Sequence, residues 1–265
     1  MRRAAALCAL FAVIPVTAAG QETRNARPWP TPGRLQARVV FSDVRLDLEP
    51  AHVSGSDLPR DTSEADFQTD YDVRHTTARL EAAYAIGVTD ELQLELYGGL
   101  GWGWTAITWE YDAPDADVTA ESEGDFTLGV GGAARFFLSE SFFAAAGYGL
   151  TYSNVTFEDQ SFWRGAVVDA RQDVVLHEVT ATLGLSTDIA SVWGGLGVIF
   201  YWGDLNIDEK PATGTARWDA TFDQGDSRLK GVIGAGLHPS EFLSCSLQFE
   251  FVPDPTVRIM IAWTF

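Results

Sequence analysis

Val257, Ile259, Ile261, Trp263 and Phe265 fall on one side of an extended segment, and Arg258, Met260, Ala262 and Thr264 on the other. Neighbouring side chains of a strand point to opposite faces, so this period of two specifies a strand with two different surroundings. The segment before it repeats the pattern: Leu243, Cys245, Leu247, Phe249 and Phe251 alternate with Ser244, Ser246, Gln248 and Glu250. A soluble barrel would turn such an apolar face inward. Here the apolar face carries Phe and Trp at the segment ends and the other carries Ser, Gln, Glu and Arg. That suits strands with lipid outside, interfacial aromatic girdles, and a polar interior.

Similar segments recur upstream near 34–48, 73–86, 91–109, 125–137, 142–157, 173–187, 191–205 and 227–237. With the two above they make ten. Each approaches or exceeds the roughly nine to eleven residues of a tilted membrane strand. An eight-stranded barrel with one hairpin extension is the alternative. The first segment changes phase near Ser42–Asp43, which predicts a bulge or the point of leaving the membrane. Connections alternate in length. Gly87–Asp90, Ser139–Ser141, Thr187–Ala190 and His238–Glu241 are short, while 49–72, 110–124, 158–172 and 206–226 are long. That asymmetry predicts periplasmic turns and extracellular loops, with a compact last outer turn at Pro253–Asp254–Pro255. Backbone groups of an open sheet edge have no partners in lipid, so the sheet must close. The last segment is therefore expected to pair with the first, around Arg34–Val40.

The first twenty residues read differently: Arg2 and Arg3, an apolar run Ala4–Val16, then Thr17, Ala18, Ala19 and Gly20. This is the order of a secretory signal, too short for a stop-transfer helix. The expected organisation is a signal at 1–20, a proline-bearing periplasmic lead-in at 21–33, and a barrel at 34–265. Without the two signal arginines, 16 basic residues face 37 acidic ones, for a net charge of −21. Such a balance argues against nucleic acid and favours cations or basic partners. Cys245 alone follows the signal, so no internal disulfide is expected.

The chain resembles the small bacterial outer-membrane barrels, a broad group that includes the OmpA-like membrane domain and porin-like proteins. The signal, the alternating strands and the ending Arg-Ile-Met-Ile-Ala-Trp-Thr-Phe carry this likeness. The resemblance implies an integral location in the outer membrane of a Gram-negative cell, with its lipid as surroundings. It also implies that Ile259, Ile261, Trp263 and Phe265 form a C-terminal signal read by the barrel assembly machinery.

On the strand phase, Arg38, Arg79, Glu81, Gln93, Glu95, Arg135, Glu178, Glu250 and Arg258 face the lumen. Both signs are present, so mutual pairing and a filled interior are expected. With a three-residue last turn, Glu250 stands opposite Arg258. Inward glycines at 99, 101, 103, 129, 131, 147, 149, 195 and 197 leave room. The expectation is filling from across, by Arg135 or Tyr201, and relief of curvature strain. The loops are acidic. Asp112, Asp115, Asp117, Glu121 and Glu123 could attract divalent cations, but their spacing lacks the turn glycine and last Glu of an EF-hand, so no specific metal site or cofactor is expected. His75 near Asp70 and Asp72 at an outer rim is the one hydrolase-like arrangement. No nucleophile elbow, His-Glu-x-x-His pair or phosphate loop accompanies it, and no enzyme activity is expected. Three readings follow: a filled structural or surface-interaction barrel with acidic loops, then a narrow cation-preferring channel, then a membrane hydrolase.

Overall fold

A computed structural model describes residues 32–48, 52–54, 71–109, 118–163, 166–209, 221–251 and 255–265. The signal region, most of the lead-in, Asp70, Asp112, Asp115 and Asp117 lie outside the described residues. In chain order the strands are β1 (Leu35–Leu48), β2 (His52–Ser54), β3 (Tyr71–Gly87), β4 (Leu92–Trp109), β5 (Val118–Glu121) and β6 (Asp125–Phe137). They continue as β7 (Phe142–Trp163), β8 (Ala166–Ser186), β9 (Ala190–Glu209), β10 (Thr221–Ser240), β11 (Leu243–Phe251) and β12 (Thr256–Thr264).

Among the described residues ten of these strands close into an antiparallel barrel in the order β1-β3-β4-β6-β7-β8-β9-β10-β11-β12, and β12 returns to β1. The closing register runs from Gln36↔Thr264 to Asp43↔Val257, as the terminal alternation requires. The Phe265 amide then donates to the Leu35 carbonyl at 2.9 Å, sealing the seam to its last residue. The two short strands lie outside the closed ring: β5 pairs with β4, and β2 with the start of β10.

Three expectations are corrected. The stretch 158–172 is largely strand rather than loop, and strand also enters 206–226 from both ends, because β7–β10 run on past the apolar band. Part of 110–124 forms β5. No bulge occurs at Ser42–Asp43, since β1 pairs with β3 in unbroken register from Leu35↔Tyr84 to Leu48↔Tyr71.

The phase change in β1 is instead the second alternative, the point at which the strand leaves the membrane. On β3 the outward residues Ala78, Leu80, Ala82, Tyr84 and Ile86 are apolar, whereas Asp72, Arg74 and Thr76 above them are polar. The inward residues do the reverse: Arg79 and Glu81 lie below, Val73 above. The sheet keeps its faces while the surroundings exchange. Near the short turns, lipid is outside and polar groups are inside. At the long-loop end, water is outside and an apolar core is inside. Leu80 is 64% exposed and Leu237 63%, which is intelligible only for a lipid-facing band.

Candidate functional site: the barrel lumen

All nine predicted lumen residues point inward, and seven of them are buried, with Glu178 and Arg258 partly so. They fall into levels. At the short-turn end Gln36 donates to Thr264 Oγ1 at 2.9 Å, and His238 Nε2 lies 3.1 Å from Ser191 Oγ. His238 therefore sits inward on β10, not in the turn where the spacing had put it.

Above this rim Arg38 donates to Glu95 at 2.7 Å and to Gln36 at 2.8 and 3.0 Å. Arg135, 94% buried, has its guanidinium 6.0 Å from the centre of the Phe143 ring. Arg79 pairs with Glu81 at 3.1 Å and donates to Thr151 Oγ1 at 2.8 Å. Each of these charges is held by a neighbour on the same wall.

The opposite wall carries a network that the sequence reading only half assembled. Arg258 on β12 reaches Glu178 on β8 at 2.5 and 3.3 Å, and Lys230 on β10 bridges Glu178 at 3.0 Å and Glu250 at 2.5 Å. The predicted placement of Glu250 directly opposite Arg258 is corrected, while the ion pair between them forms. The β11–β12 register sets Gln248 opposite Arg258 and Glu250 opposite Thr256, two residues away from the expected alignment. Only 3.8 Å separates Arg258 from Glu250 diagonally. Lys230 was missed, although its even number on the inward phase of β10 marks it.

Between the two walls lies a chamber of about 190 Å³, bounded by Arg38, Glu95, Arg135, Arg258, Tyr97 and Trp193 among others. The glycine expectation holds in kind and changes in detail. Tyr97 and Arg79, not Arg135 or Tyr201, occupy the space left at Gly129, Gly131 and Gly149. At Gly101 an added Cβ would overlap the Ala78 carbonyl of the neighbouring strand, which is the close approach of a tightly curved wall.

Higher still, His75 is fully buried, with Nδ1 2.8 Å from Thr105 Oγ1 and Nε2 3.0 Å from Ser153 Oγ. Ser153 in turn lies 2.6 Å from Thr127 Oγ1. His75 is thus an interior residue and not a rim one. Asp72 points outward from the same strand and cannot orient it. Ser153 and His75 are buried beside a gap of about 30 Å³, and Asp72 faces away, so the described residues do not form the acid–histidine arrangement expected at the rim.

Above His75 the buried lumen residues are mostly apolar, with Gln172 on β8 donating to the Tyr201 hydroxyl at 3.0 Å. Val73, Ile107, Val155, Phe157, Val174 and Tyr201 all point inward with at most 1% exposure. Outside, the same height is polar: Arg74 makes a two-pronged pair with Asp43 at 2.8 and 2.9 Å, and Asp173 accepts from Tyr152 and Asn154. Glu121 and Glu123, the two described members of the predicted acidic loop, are exposed, and no metal-holding group is found among the described residues.

Residues 51–186 match the family described as outer membrane protein beta-barrel domain, just over half of the 265-residue chain. No curated protein matches the sequence. Among solved structures, the translocator domain of autotransporter NalP from Neisseria meningitidis has a TM-score of 0.47 at 9% identity, covering 89% of this chain and 90% of that one. The Ralstonia pickettii toluene transporter TbuX gives 0.40 at 12% identity, over 88% and 89%. An outer membrane channel from Pseudomonas putida F1 gives 0.38 at 12% identity, over 93% and 100%.

Proposed function

We propose, from a chain that belongs to the outer membrane protein beta-barrel domain family and is integral to the bacterial outer membrane, that this barrel is a closed anchor presenting acidic extracellular loops. One observation carries the reading: the apolar layer around Phe157 and Tyr201 fills the lumen above a charge-paired level. A through-path for solutes needs a polar or open channel at every height, and this layer interrupts it. The Ser153–His75 contact supports a non-enzymatic role, because it is buried and the gap that His75 lines holds only about 30 Å³, the size for water.

The loops supply the working surface. Their carboxylates draw divalent cations diffusely toward the anionic outer leaflet, without a dedicated site. The terminal strand, with Ile259, Ile261, Trp263 and Phe265 on its outward face, is the segment offered to the assembly machinery. Phe265 is 72% exposed and its backbone is already tied to β1.

Planar-bilayer recording of the refolded mature protein tests the reading, using preparations that show a heat-dependent gel shift. Silence is expected. Discrete conductance steps from the unaltered protein would overturn it. The chamber favours a second reading, a narrow channel, which requires the apolar layer to part and predicts those steps.

A further inference from the structure

On the outer face of β8 the side chains read Leu185, Leu183, Ala181, Val179, His177, Val175 and Asp173 from the short-turn end upward. His177 is the first polar group in that column, and lipid-facing residues lie directly beneath it. Val179 is 46% exposed and Leu183 55%. Tyr148 on β7 brings its hydroxyl to 2.6 Å from His177 Nδ1. Trp202 on β9 meets the imidazole edge-on, with ring centres 4.7 Å apart, and Phe200 stacks nearly parallel to Trp202 at 6.1 Å. Both neighbouring strands therefore hold the imidazole in one orientation.

A count of donors shows what this arrangement lacks. Even a neutral imidazole carries one N–H, and a phenol carries one O–H. The single hydrogen bond between the two rings uses one of these protons, whichever ring donates. The other donor, His177 Nε2–H or Tyr148 O–H, has no acceptor among the described residues. A donor left unpaired toward hydrocarbon is costly, so the surroundings must supply the acceptor.

Depth selects its chemistry. Asp173 lies four residues above His177 on β8. At about 3.3 Å per residue and a tilt of about 40°, that is about 10 Å of height. Asp173 accepts from Tyr152 at 2.7 Å and Asn154 at 2.6 Å, which marks the aqueous side. The polar zone of one leaflet is only about 5–8 Å deep. His177 therefore stands at the upper edge of the hydrocarbon, where acyl chains join their ester or amide carbonyls. Lipid phosphates lie higher, at the level of Asp173, whose carboxylate repels them. A carbonyl is neutral and accepts without donating, which matches a single spare donor. Below the pair, Ala181 stands opposite Ala146 and Ala146 opposite Ala134, so a chain hanging from that carbonyl packs close against the sheet.

We propose that Tyr148, His177 and Trp202 form a fixed site for one bilayer lipid of the leaflet on the long-loop side, held by a hydrogen bond from the Tyr148–His177 pair to an acyl carbonyl. The site lies outside the barrel and is independent of whether the lumen conducts.

The test uses the refolded full barrel in phosphatidylcholine vesicles whose chains are either ester-linked or ether-linked, with the same headgroup and chain length. Ether lipids lack the carbonyl. The readout is the midpoint of the heat-dependent gel shift. Tyr148→Phe/His177→Phe keeps the rings and removes both donors. The ester-minus-ether difference is expected to be about 2–4 °C larger for the unaltered protein than for the double variant. Equal differences in the two proteins, which is the result if water serves as the acceptor, would overturn the proposal. If the double variant does not refold, solid-state NMR of His52→Gln decides, with isotope-labelled histidine rings and lipid acyl carbonyls. His75 and His238 are buried in the lumen, so a ring–carbonyl contact reports His177 and supports the site. Absence of that contact overturns it.

Discussion

Glu178 is the carboxylate on which the cross-lumen network depends, and removing its charge isolates Arg258. In Glu178→Gln, Lys230 keeps Glu250 at 2.5 Å, while Arg258 is left with a 3.8 Å diagonal contact to a carboxylate already engaged. Removing one partner of a buried pair costs about 3–5 kcal/mol. The side chains of Glu178 and Arg258 are 16% and 28% exposed toward the chamber, so water screens part of that loss. About 2–3 kcal/mol is the reasoned value. Arg258→Met should cost less, about 1–2 kcal/mol, because Lys230 still satisfies Glu178. The double variant Glu178→Gln/Arg258→Met restores neutrality with Lys230–Glu250 intact. It should be no less stable than Glu178→Gln alone, giving a coupling of at least about 1 kcal/mol. Urea unfolding of the protein in lipid vesicles, followed by tryptophan fluorescence and gel shift together, measures all four species. Simple additivity of the two single losses would refute the network as described.

Three further substitutions probe the two halves of the wall. Phe157→Ala, in the packed layer, should lose about 3–5 kcal/mol in the same unfolding assay, and a loss below about 1 kcal/mol would mean that the layer is loose. Leu80→Arg places a charge in the outward apolar band and should cost about 2–4 kcal/mol in vesicles, whereas Asp72→Asn, on the same face above the band, should change stability by less than about 0.5 kcal/mol. Similar values for the two would contradict the placement of the lipid boundary between them.

The barrel was legible because alternation is a local property: each strand reports its own two faces. Arg38, Glu95 and Arg135 could be assigned inward from sequence for that reason. Partner choice was not legible in the same way. The β11–β12 pairing lies two residues from the expected alignment, which keeps Glu250 and Arg258 inward but makes them diagonal, 3.8 Å apart, rather than directly opposed. Glu178 and Arg258 meet across the lumen from strands that are not neighbours, and no sequence spacing encodes that contact. Tyr97 and Lys230 lay on the correct phase but were outnumbered by more conspicuous charges. The apolar layer was visible only as a phase change in β1. Val44 and Leu46 read as a fault in a polar-inside pattern until β3 and β8 show the same exchange.

That exchange of inside and outside polarity fixes the waterline of the molecule. Were the barrel to sink by one residue pair, Asp43, Arg74 and Asp173 would enter hydrocarbon. Were it to rise, Leu80, Trp102 and Leu229 would enter water with nothing to cover them. Both displacements are opposed by residues on several strands at once, so the sheet itself resists a change in the height of the barrel. A membrane of a different thickness would have to deform to meet it.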